Sequence, residues 1–84
     1  MENLNNKLKE AQKMVQIGAF YHHYRNPVNT YKVTDIVLNE IDHRILVIYV
    51  ANYGDKLRWA RDIEAWFDII EYDGKNTTRF VKIV

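Results

Sequence analysis

Eighty-four residues, 48% of them hydrophobic and with two Trp, six Tyr and three Phe among them, suffice for one domain around one core and leave no volume for a deep enclosed cavity. Twelve Lys and Arg against eleven Asp and Glu give a net charge of +1, short of the basic excess expected of a dedicated nucleic-acid module. Neither cysteine nor serine occurs, which removes disulfides, thiolate zinc sites and the two commonest activated nucleophiles.

Leu4, Leu8, Ala11 and Val15 recur at helical spacing and predict an amphipathic helix over residues 3–16, with Asn3 as its N-cap and Gly18 as its stop. This gives a division into an N-terminal helix, residues 1–17, and a small β domain, residues 18–84. The helix either packs on the β domain or docks a second protomer or partner. No apolar core of a signal peptide and no membrane-length run is present, so a soluble, cytoplasmic protein is expected.

From Gly18 onward the period becomes alternating and β-branched and aromatic residues dominate. Strands are predicted near residues 19–25, 30–38, 44–51, 57–61, 66–72 and 78–83, divided by turns rich in Asn, Pro, Asp and Gly. The apolar run ILVIYVA, residues 45–51, reads as the central strand, with Leu46, Ile48 and Val50 expected in the core. Asp62-Ile63-Glu64-Ala65 reads as one helical turn capped by Asp62. Many short strands around one core suit a partly open antiparallel barrel.

The stretch FYHHYR, residues 20–25, raises three readings: metal site, ligand platform or plain strand. Adjacent strand residues point to opposite faces, so His22 and His23 do not converge on one ion, and His43 falls in a predicted loop. No metal or cofactor is therefore expected. The three glycines stand alone, so no phosphate-cradling loop is present. Tyr21, His23, Tyr24, Arg25, Tyr53, Trp59 and Arg61 supply flat amphipathic rings and guanidinium forks, the residue types enriched at recognition surfaces. The same residues have a structural reading, with Tyr and Trp filling a small core and Arg61 pairing an acid such as Glu64.

Gly18, Tyr21, His23-Tyr24-Arg25, Tyr31 and Val33, then Leu46-Val47-Ile48-Tyr49, Tyr53-Gly54, Trp59, Arg61, Phe67, Gly74 and Arg79-Phe80 follow one another in an order and spacing that resembles the bacterial DUF1653 family. The likeness spans residues 18–83 and marks a divergent member: Asn26 stands where the family has Gly, Asn52 precedes Tyr-Gly in place of Leu, and Asp62 replaces the Pro after W-x-R. It implies an SH3-like small antiparallel β-barrel preceded by the helix, and implies no mechanism. The expected function is a non-enzymatic module that recognises a protein or peptide through the aromatic and arginine residues. The alternative is nucleic-acid or nucleotide binding through the same side chains.

Overall fold

The computed structural model describes residues 3–83. Helix α1, Leu4–Met14, begins where Asn3 accepts the Asn6 amide at 3.2 Å, so the predicted cap forms. Its apolar stripe packs inward, burying Ala11 on the helix and Val15 just beyond it. The helix ends at Val15 rather than Gly18. Gly18 sits in the following turn at φ 86°, a conformation that L side chains rarely adopt.

Strands β1 (Phe20–His23), β2 (Thr30–Leu38), β3 (Ile45–Ala51), β4 (Arg58–Asp62) and β7 (Phe80–Lys82) form one sheet in the order β4-β3-β2-β1-β7. Helix α2 (Ile63–Trp66) follows β4, and β5 (Ile69–Tyr72) pairs with β6 (Lys75–Thr78) as a separate hairpin. All pairings are antiparallel. The protein is thus mainly β, with an N-terminal helix. Among the described residues, no helix is long and apolar enough to cross a membrane.

The central strand is β3, but the opposite set of side chains faces the core. Ile45, Val47, Tyr49 and Ala51 are buried, whereas Leu46, Ile48 and Val50 lie half-buried on the other side. A continuous apolar run contains no polar residue to set its phase, so neighbours set it. Tyr49 lies opposite Val33 and Ala51 opposite Tyr31, both core residues of β2. A bulge between Val33 and Asp35 then switches the inward set of β2 from Tyr31 and Val33 to Ile36.

Two further boundaries differ from the sequence reading. Trp66 belongs to α2, capped by Asp62, whose side chain accepts the Glu64 amide at 2.9 Å, and the next strand begins only at Ile69. Asp73 and Gly74, at φ 55° and 76°, turn the β5–β6 hairpin, so the predicted strand over residues 78–83 is split between β6 and β7. The short α2 delivers Trp66 to the centre of the core. Its ring stacks on Phe80 at 4.3 Å and meets the edges of Tyr21 and Tyr49 at 5.3 and 5.2 Å.

Candidate ligand-binding surface

Arg61 lies opposite Val47 and Trp59 opposite Tyr49 in the β3–β4 pairing, so both project on the core side of the sheet. Because β4 is the sheet's end, no strand covers them there. Trp59 remains 50% exposed, while Arg61 reaches inward and sets its guanidinium 6.0 Å from the Phe80 ring centre. Arg79 precedes Phe80 and acts electrostatically on Tyr49, as Arg61 does. The Nε atoms of Arg61 and Arg79 are fully buried without a hydrogen-bond partner. Glu64, the acid expected beside Arg61, does not pair with it. Among the described residues no ion pair involves Lys56, Arg58, Arg61 or Arg79.

A run of aromatic contacts extends from this point. Phe80 meets Tyr31 and Tyr49 edge-on at 5.4 Å each, and the Tyr31 and Tyr53 hydroxyls share a 2.7 Å hydrogen bond. Burial, with Tyr53 beside it, pushes the Tyr31 phenol above the ordinary tyrosine range, so it stays protonated. Burial also raises Tyr49, against the pull of Arg61 and Arg79. On the other side, His23 lies 6.2 Å from Phe80 and 4.6 Å from Tyr24. Its Nδ1 accepts the Arg25 amide at 3.2 Å. Partial burial, then the charges of Arg79 and Arg25 and the neighbouring His22, hold His23 below the ordinary histidine pKa.

The seven residues singled out in the sequence thus fall into three groups. Tyr53, Trp59 and Arg61 gather with Tyr49, Phe80 and Arg79 at the β4 end of the core. Tyr24 and Arg25 form a neighbouring cluster with Tyr72, whose ring lies 5.3 Å from Tyr24 and 5.9 Å from the Arg25 guanidinium. His23 links the two groups. Tyr21 is not on this surface: it is 6% exposed, held at the edge of Trp66, and its hydroxyl accepts the Gln16 amide at 3.4 Å. Sequence reasoning missed Arg79 as a member of the surface, and Phe80 and Tyr31 as the buried rings beneath it, although all three stand within the family-like pattern. Among the described residues no three His, Cys, Asp or Glu side chains group closely enough to hold a metal ion.

A groove of about 670 Å³ lies elsewhere, between α1 and the α2 region, with Ala11, Met14, Ile63 and Phe67 in its walls. Its size is not matched by unsatisfied chemistry. Arg44 there meets Asp62 at 3.2 Å, and Lys7 donates to the His43 carbonyl at 3.2 Å. The β4 surface is the stronger candidate, because the buried Nε donors of Arg61 and Arg79 there meet no acceptor.

These features define a small antiparallel β domain with an arginine- and aromatic-lined surface at one end of its sheet. The family model for a protein of unknown function, DUF1653, matches residues 19–82, and the chain belongs to that family. The match takes in the whole sheet and leaves α1 outside. No curated protein and no solved structure matches the chain.

Proposed function

We propose that this domain is a non-enzymatic binding module of SH3-like type that recognises an anionic group on a protein or peptide through Arg61, Arg79 and the exposed ring of Trp59. The observation that carries the reading is the pair of buried, unpartnered arginine Nε atoms beside an aromatic floor. A buried donor without an acceptor costs about 1–3 kcal/mol, and a carboxylate from outside, bound at the guanidinium nitrogens that are not enclosed, would offset that cost through charge-assisted hydrogen bonds. The Phe80 ring supports the Arg61 guanidinium from one side, which leaves its remaining donors available to a ligand.

Calorimetric titration with a glutamate-rich peptide tests this reading, with a single-stranded oligonucleotide as the competing probe. Binding of the peptide that falls about 30-fold or more in Arg61→Ala supports it. Tighter binding of the oligonucleotide, with a steep loss of affinity on adding salt, would transfer the surface to the nucleic-acid class.

A further inference from the structure

We infer that the ligand adds to the sheet as an extended strand along the free side of β4, with acidic side chains turned toward Arg61 and Arg79. This rests on the reading that those arginines receive an anionic peptide. Leu57 accepts the Ala51 amide at 2.9 Å, and antiparallel alternation then turns the backbone groups of Trp59 and Arg61 toward β3. The N–H and C=O groups of Arg58 and Ala60 consequently point away from the sheet. Among the described residues, no backbone hydrogen bond outside the β3 pairing reaches residues 58–61. Arg58, Trp59 and Ala60 are all exposed, so the edge is open to a partner.

Charge decides what kind of strand fits. Residues 56–61, Lys-Leu-Arg-Trp-Ala-Arg, carry three cations and no acid, and Arg79 adds a fourth from the other end of the sheet. A second copy of β4 laid antiparallel about Ala60 would set Arg58 against Asp62 but put Trp59 opposite Arg61, so it brings no carboxylate to the face that carries Arg61. An acidic strand meets the opposite situation. Its alternate side chains would lie on the same face as Trp59 and Arg61, so acids at every second position turn toward that face together and one of them meets Arg61. Backbone bonds would supply affinity and the alternate side chains selectivity.

The probe is an acetylated, amidated hexapeptide alternating Glu with Val, used beside the same peptide N-methylated on alternate amides and beside its Lys-Val counterpart. We expect the Glu-Val peptide alone to bind, to slow hydrogen exchange at the Arg58 and Ala60 amides by about tenfold or more, and to weaken similarly in Ala60→Pro. Proline is tolerated on an edge strand where the lost N–H faces outward, and the N-methylated peptide makes the same test without altering the protein. Equal binding of the N-methylated peptide, with no protection at Arg58 or Ala60, overturns strand addition while leaving anion recognition by the arginines standing. Failure of the Glu-Val peptide to bind, or equal binding of the Lys-Val peptide, overturns both.

Discussion

At the α1–α2 groove, Arg44 lies 3.2 Å from Asp62 and 3.7 Å from Asp42, whereas at the β4 end of the core Arg61 and Arg79 bury their Nε atoms with no acceptor. The two places hold the same side-chain chemistry in opposite states of satisfaction. Arg44 sits largely in water, where an ion pair contributes little and its absence would cost little. Arg61 and Arg79 sit where an unmet donor is expensive, and the fold retains them there. The contrast teaches that volume is a poor guide in so small a protein: in the 670 Å³ groove Arg44 meets its acids, whereas the buried donors of Arg61 and Arg79 meet none.

The largest expected effect comes from the residue beneath both regions. Trp66→Ala removes the ring stacked on Phe80 and loosens α2, whose Ile63 and Glu64 line the groove. It should cost about 3–5 kcal/mol in denaturant unfolding and weaken the two regions together. A smaller loss, with one region intact by chemical-shift mapping, would show that they do not share this support.

Next come the arginines themselves. Arg61→Leu replaces an unpaired guanidinium with an apolar side chain, so its thermal midpoint should not fall, while affinity for an acidic peptide should drop by about 2 kcal/mol or more. Arg44→Ala should do the reverse on a smaller scale, losing about 0–1 kcal/mol of stability and no affinity. A swap of these two outcomes would break the comparison.

The smallest effect is a pH dependence. Because the folded pKa of His23 lies below its unfolded value, the unfolded chain takes up this proton first as pH falls. The contribution of His23 to stability is thus fully present above pH about 6.5 and is lost as pH falls through the lower folded pKa. Thermal midpoints measured at neutral and mildly acidic pH should separate, and His23→Gln should narrow the gap. Bound carboxylate should act in the opposite sense, raising the pKa of His23 and tightening binding on mild acidification.

Much of the fold was legible because local rules and tertiary packing agree in this chain. Asn3 and Asp62 cap helices as their side-chain oxygens suggest, and β2 occupies residues 30–38 as its alternation predicts. What resisted reading lay where periodicity is silent. The run of residues 45–51 is apolar at every position, so only the pairing with β2 and its bulge could choose which face goes inward. The surface was half legible for a related reason. Trp59 and Arg61 stand two apart and share a face, but Arg79 and Phe80 join them only because the chain folds back through α2 and the β5–β6 hairpin. Tyr21 carries the same chemistry as Tyr53, and nothing local reveals that one ring is enclosed and the other rests at the rim.

The register that lays Lys82 against Tyr21 joins segments roughly 60 residues apart, among the longest loops this chain has to close. A chain synthesised from its N-terminus therefore contains α1 and strands β1 to β4 before Phe80 exists. Until residues 80–82 arrive, Trp66 lacks its stacking partner, and the rings of Tyr31 and Tyr49 lack the neighbour that meets their faces and edges. A chain that has not yet paired its last strand thus has its aromatic centre uncovered, and exposed apolar surface of that kind is what makes partly folded species prone to aggregate.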